Sequence, residues 1–153
     1  MRLTVMSDYS LRVLMYLGAK PEHRATIQEI ASAYGISENH LMKVVHGLGR
    51  QGFVETVRGR GGGLRLARPA DKIKIGDVIK AVEDDFALVE CFRDENVCRI
   101  SNVCRLRGVL RLALEAYFRV LDDWTVADLV TTPTNLFALL SDLPSSSEPA
   151  TRR

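Results

Sequence analysis

The run Thr26-Ile27-Gln28-Glu29-Ile30-Ala31-Ser32-Ala33-Tyr34-Gly35-Ile36-Ser37-Glu38-Asn39-His40-Leu41-Met42-Lys43-Val44-Val45-His46-Gly47-Leu48-Gly49-Arg50 decides how the chain is read. It predicts two short helices around a glycine turn. Thr26 and Glu29 have the spacing of a capping box, in which each side chain satisfies a backbone N–H that a helix start leaves without a partner. Ile27, Ile30, Ala31 and Tyr34 form an apolar stripe, and Gly35 stands where a left-handed backbone ends the helix. Ser37 caps a second helix from Glu38 to about Gln51. Leu41, Val44, Val45 and Leu48 are its buried stripe, with Gly52 just past the end. Ala31 is small where two helices must cross closely. This is the layout of a helix-turn-helix. Its second helix turns Glu38, Asn39, His40, Lys43, His46 and Arg50 outward. Those side chains are long enough to reach base edges and phosphates in a major groove.

The flanks extend the pattern. Upstream, Ser7 is expected to cap a first helix through about Leu17, with Leu11, Leu14 and Met15 on one face and Gly18 and Pro21 ending it. Downstream, Phe53-Val54-Glu55-Thr56-Val57 is β-rich and Leu64-Arg65-Leu66-Ala67 alternates. Between them, Arg58-Gly59-Arg60-Gly61-Gly62-Gly63 is a hairpin tip too glycine-rich to pack a core. Its backbone amides and two arginines suit phosphates, and an arginine fits a minor groove. A nucleotide-cradling loop is excluded, because no Lys-Ser/Thr follows and no helix begins there. Helix, helix-turn-helix and two-stranded wing, in that order, predict a DNA-binding winged helix over residues 1–82. The expected DNA contacts are Thr26, Ser37, Glu38, Asn39, His40, Lys43, Arg50, Arg58, Gly59, Arg60 and Gly61.

Charge agrees with this. The net charge is +2, but residues 1–70 carry ten Lys/Arg against five Asp/Glu, while the remainder carries eleven against fourteen. The first half therefore presents the positive field that a polyanion needs. Apolar residues make up 46% and charged residues 26% of the 153, the mix of a globular protein. The absence of a long apolar run or a signal-peptide layout gives an expectation of a cytoplasmic protein with no membrane partner.

The second half reads differently. Ile75-Gly76-Asp77-Val78-Ile79-Lys80-Ala81-Val82 is a short amphipathic helix expected to pack back on the winged domain. Residues 83–104 form a loop carrying Cys91, Cys98 and Cys104, spaced Cys-x6-Cys-x5-Cys, with Asn96, Ser101 and Asn102 between them. From Cys104 a long helix is expected. Its residues Leu106, Leu110, Ala113, Tyr117, Val120 and Trp124 recur at steps of three and four. Such a seam on a small protein is expected to face a second subunit. Thr125 caps one more short helix over residues 126–130, so 104–130 is the dimerisation segment. Residues 131–153 read as a tail, disordered from Pro144 onward. The fold class is mainly α with a small β-wing: a winged helix-turn-helix plus a long dimerisation helix.

Three thiols in a polar loop are not core filling. Zinc prefers closer pairs, and His23, His40 and His46 all lie in the winged domain. An iron–sulfur cluster suits soft thiolates on an open loop, although one ligand is missing from the three. No Ser-His-Asp grouping or placed carboxylate pair suggests an enzyme. A small electron-transfer protein and a zinc or thiol-redox DNA binder remain as alternatives.

The run Ser37 to Leu48, the wing Val57 to Gly63 and Ile75-Gly76-Asp77-Val78-Ile79 resemble a bacterial family of winged-helix iron–sulfur repressors. The resemblance covers roughly residues 1–130 and includes the three-cysteine loop. Its IscR-like members have a histidine three residues after the last cysteine, where this chain has Arg107. The nitric-oxide-sensing, NsrR-like members carry an aspartate near the N-terminus that reaches the cluster of the partner subunit, and Asp8 occupies that position. The resemblance thus implies a cluster, [4Fe-4S] with [2Fe-2S] as the alternative, on Cys91, Cys98, Cys104 and the Asp8 of a second copy. Asp8 also suits a helix start and an i,i+4 pair with Arg12. The implied function is a homodimeric repressor that binds a palindromic operator and releases it when nitric oxide nitrosylates the cluster. A relative of the same family with a redox or iron-status signal is the alternative.

Overall fold

The computed structural model describes residues 2–130; the tail expected over 131–153 lies outside the described residues. Helix α1 (Val5–Ala19) is followed by α2 (Ile27–Tyr34) and α3 (Glu38–Arg50), strands β1 (Val54–Val57) and β2 (Gly63–Leu66), then α4 (Ile75–Val82), α5 (Arg105–Asp122) and α6 (Val126–Leu129). The two strands pair antiparallel, Val54 opposite Leu66 and Val57 opposite Gly63. Ala25 adds an isolated bridge to Leu64 outside the hairpin. This is the expected mainly helical fold with a small two-stranded wing.

The α1 start differs from expectation. Thr4, not Ser7, is the N-cap, with its hydroxyl accepting from the Ser7 N–H at 3.3 Å. Ser7 sits inside the helix, fully buried, and its hydroxyl donates to Glu83 at 2.6 Å. Both residues carry the hydroxyl a cap needs; a carboxylate distant in sequence takes Ser7 and leaves the cap to Thr4. The buried face is Ser7, Ser10, Val13, Leu14 and Leu17 with Tyr16, whereas Leu11 and Met15 are only partly covered. That face packs against α3, α4 and α6.

The helix-turn-helix follows the sequence closely. Gly35 adopts φ +63°, the left-handed turn that lets α2 end and α3 begin. Ile30, Ala31, Ile36, Leu41, Val44, Val45 and Leu48 are buried between the two helices and α1. Burying each of these side chains contributes roughly 1.5–3 kcal/mol for the larger aliphatics. The box expected at Thr26 is half formed. Its hydroxyl accepts from the Glu29 N–H at 3.1 Å, but the Glu29 carboxylate turns to the Tyr16 hydroxyl at 2.7 Å and the Lys20 ammonium at 3.2 Å. A complete box forms at Thr125, where Asp128 reciprocates.

Helix α4 buries Ile75, Val78 and Ile79 against α1, as expected. Helix α5 starts at Arg105, one residue after the expected Cys104, and contains no buried residue. One edge, Phe118 and Leu121, rests on the core, with Phe118 edge-on to Phe86 at 4.8 Å. Asp122 is gripped by Lys80 of α4 at 2.8 Å. Ile75 N–H donates to Trp124 O, and Val126 N–H donates to Ile73 O, both at 2.9 Å, fastening the end of α5 to the head.

Candidate nucleic-acid interface and cysteine loop

The recognition surface is built on α3. Ser37 caps it, its hydroxyl accepting from the His40 N–H at 3.3 Å. That cap fixes the first turn and presents Glu38, Asn39 and His40 at the helix start, the end of such a helix that suits base edges. With Lys43, His46 and Arg50 they are all exposed, while Leu41, Val44, Val45 and Leu48 hold the opposite face inside. Thr26, at the start of α2, is exposed as well. Met42, which the sequence reading passed over, stands 49% exposed on the same helix. His40 also meets the ring of Tyr9 on α1, centroids 6.3 Å apart.

The wing places Arg58, Gly59, Arg60 and Gly61 together at an exposed tip. Gly59 and Gly61 have φ +99° and +73°, and a Cβ on Gly62 would run into the carbonyl oxygens of Val57 and Gly59. Side chains are therefore excluded where the turn is tightest, and the two arginines project from a backbone of fixed shape. Arg65 and Glu55 pair across the strands.

Behind this surface lies a polar knot. Burial pushes the Glu29 carboxyl up, but hydrogen bonds from Tyr16 and Lys20 outweigh it and hold Glu29 below the ordinary carboxylate range. Burial, then Glu29 itself, pushes the Tyr16 phenol well above its ordinary value. Glu29 is thus an acceptor at neutral pH and Tyr16 a donor, which pins α2 to α1.

The cysteine loop begins at Glu83, whose carboxylate accepts from the Thr4 N–H and the Ser7 hydroxyl, both at 2.6 Å. Burial raises Glu83, but those hydrogen bonds win and lower it below 4.5. Cys91 lies in a 3-10 turn over Glu90–Phe92. Cys98 follows an Asn turn, its N–H donating to Asn96 Oδ1 at 3.0 Å, and Ser101 donates to the Cys98 carbonyl at 2.8 Å. Cys104 precedes α5 and opens on a cleft of about 670 Å³ that also meets Asp84, Phe86, Phe92 and Arg107. All three thiols are free and partly exposed.

Their donor chemistry fits an iron–sulfur group: three soft, unbridged thiols on one irregular loop. They do not converge within the chain. Among the described residues, no three His, Cys, Asp or Glu side chains gather at metal-holding distance. Asp8 lies on the first turn of α1, 50% exposed and paired with Arg12 at 2.9 Å. Among the described residues no helix is long and apolar enough to cross a membrane.

Comparison with known proteins places this geometry. The family profile described as "Rrf2: Iron-dependent Transcriptional regulator" matches residues 3–132. The chain is 51% identical over 142 residues to the HTH-type transcriptional regulator NsrR of Bacillus subtilis (strain 168), covering 92% of this chain and 97% of that protein. Among solved structures it is similar to T. potens IscR, with a TM-score of 0.70 at 25% identity, covering 86% of this chain and 87% of that one. It is also similar to CymR, described as the global cysteine regulator of B. subtilis, with a TM-score of 0.68 at 29% identity over 86% of this chain and 97% of that one.

Proposed function

Because the chain belongs to the Rrf2 family of transcriptional regulators, we propose that it is a repressor holding palindromic operator DNA as a homodimer and releasing it in response to nitric oxide through an iron–sulfur cluster on the cysteine loop. The observation that carries this reading is the position of that loop. It joins α4, packed on the first helix of the DNA-binding head, to α5, whose apolar face is uncovered. Any rearrangement of residues 83–104 therefore acts on both the reading head and the contact between copies.

Cys91, Cys98 and Cys104 would hold the cluster, [4Fe-4S] with [2Fe-2S] as the alternative, and Asp8 of a second copy would supply the fourth donor. Bound there, the cluster supplies iron within reach of nitric oxide. A half-exposed Asp8 that joins no metal-holding group within its own chain, among the described residues, supports a ligand donated across the dimer. A carboxylate is a hard donor beside three soft ones, so Asp8 forms the weakest corner of the set. The seam Leu106, Leu110, Ala113, Tyr117 and Val120 on α5, with Trp124 just past its end, would close the dimer, and Val109 widens it. Two α3 helices would then read half-sites about one helical turn apart, with Asn39, His40 and Lys43 toward the bases, Arg50 toward phosphates, and the wing tips in the flanking minor grooves.

Anaerobically purified wild type, Cys98→Ala and Asp8→Ala test this. Wild type is expected to contain iron and acid-labile sulfide; zinc without sulfide overturns the cluster. Cys98→Ala is expected to lose the iron together with nitric-oxide control of operator binding, and normal control in that variant overturns the sensor. Asp8→Ala is expected to keep three thiolate ligands but shed iron faster. An unchanged spectrum and response removes Asp8 from the site.

A further inference from the structure

Arg24 lies in the connection between α1 and α2, outside every element of the DNA-binding surface described above. Its Nη1 donates to the carbonyl oxygen of Gly61 at the wing tip, 2.9 Å away. The next residue, Ala25, is buried and pairs with Leu64 in both directions. Ala25 N–H donates to Leu64 O at 3.1 Å, and Leu64 N–H donates to Ala25 O at 2.7 Å. The base of the wing is thus stitched to the helical body by backbone, and its tip by one side chain.

That side chain has a specific mechanical role available to it. A two-stranded hairpin has little stability of its own in water. The Gly62 N–H to Gly59 O bond, 2.9 Å, fixes the shape of the turn but not the direction in which the tip points from the body. Only a tie between the tip and the helices does that, and Arg24 makes one. Among the described residues Arg24 pairs with no carboxylate, so its full charge stays beside Arg58 and Arg60.

We propose that Arg24 is a positioning residue for the wing: its grip on the Gly61 carbonyl sets the direction in which Arg58 and Arg60 reach DNA next to the half-site read by α3. This rests on the wing being a DNA contact, and the test separates the two. Full-length protein prepared without oxygen is titrated by fluorescence anisotropy, over a range of salt, against a duplex that the wild type selects from a random pool. The proteins are wild type, Arg24→Ala, Arg60→Ala and the double variant. Amide exchange of residues 58–63 and the melting temperature are measured alongside.

Arg24→Ala is expected to bind about fivefold more weakly. In the Arg60→Ala background the same change is expected to cost less, about twofold, because the tip it steers has lost one of its two cations. Amide exchange at the tip is expected to rise while the melting temperature holds. Where Arg24→Ala lowers the melting temperature, Arg24→Gln, which keeps most of the stem, carries the same comparison. Equal losses in both backgrounds with unchanged exchange make Arg24 a plain phosphate cation and overturn the proposal. A neutral Arg24→Ala beside a weakened Arg60→Ala overturns it too and leaves the wing contact standing. A neutral Arg60→Ala overturns both.

Discussion

Leu41 and Leu106 each stand near the start of a helix, yet Leu41 is fully buried and Leu106 is 60% exposed. The contrast extends to the regions around them. The head formed by α1–α4 and the wing buries most of its large aliphatics in one core, to which α6 adds Val126. In α5, Leu106, Val109, Leu112 and Val120 each remain about 60% exposed, and the cysteine loop adds Val97, Ile100 and Val103. The head closes its core with help from Val126 of α6, while the arm, meaning the rest of α5 and the loop, leaves apolar side chains and three thiols uncovered or partly covered. Contiguous exposed apolar surface of this kind marks a contact site in a soluble protein.

The largest effect that sharpens this contrast is in the head. Leu41→Ala is expected to cost about 3 kcal/mol, a cavity penalty, in denaturant unfolding. Leu106→Ala is expected to cost less than about 0.5 kcal/mol in dilute, dissociated protein. Equal losses would show that the chain covers its own α5. Next comes assembly. Val120→Asp is expected to weaken self-association by about 100-fold in sedimentation, with the helical signal intact, because a charge cannot be desolvated in an apolar seam. An unchanged dimer would move the contact elsewhere.

Smaller effects test the division of labour. Lys43→Ala is expected to weaken operator binding about tenfold and to relax its sequence preference, with iron content unchanged. Loss of iron in that variant would mean that the head and the arm are not separable. Glu83→Gln probes the clasp between the two regions and is expected to cost under about 1 kcal/mol. Glu83 is held below its ordinary 4.5, so its stabilising contribution is complete above that value and disappears as pH falls through the lowered one. Acid unfolding of Glu83→Gln is therefore expected to be flatter below about pH 4.5 than that of wild type. Identical acid profiles would remove the clasp.

The same contrast explains what the sequence made legible. In the head, local signals and tertiary structure agree: Ser37 caps, Gly35 turns, and Leu41, Val44, Val45 and Leu48 are buried at helical spacing. Local reading failed where a distant group intervened. Glu83, 76 residues away, captures Ser7 and leaves Thr4 to cap α1. Tyr16 and Lys20 draw Glu29 away from its box. The hold of Arg24 on Gly61 spans 37 residues and leaves no periodic trace. In the arm, the seam was visible as a repeat, but a repeat cannot reveal that Phe118 and Leu121 on the adjoining edge pack on the chain's own core. The three cysteines stand out by type and spacing, but that pattern does not show that, among the described residues, no three metal-binding side chains gather once the chain is folded.

The most direct measurement compares operator affinity for three forms of one anaerobic preparation: iron-loaded, stripped of iron, and loaded then exposed to nitric oxide. The loaded form is expected to bind at least about tenfold more tightly than the stripped form, a coupling of about 1.4 kcal/mol, and nitric oxide is expected to bring it to the stripped level. Equal affinity in all three forms would contradict a cysteine loop that controls the DNA-binding head.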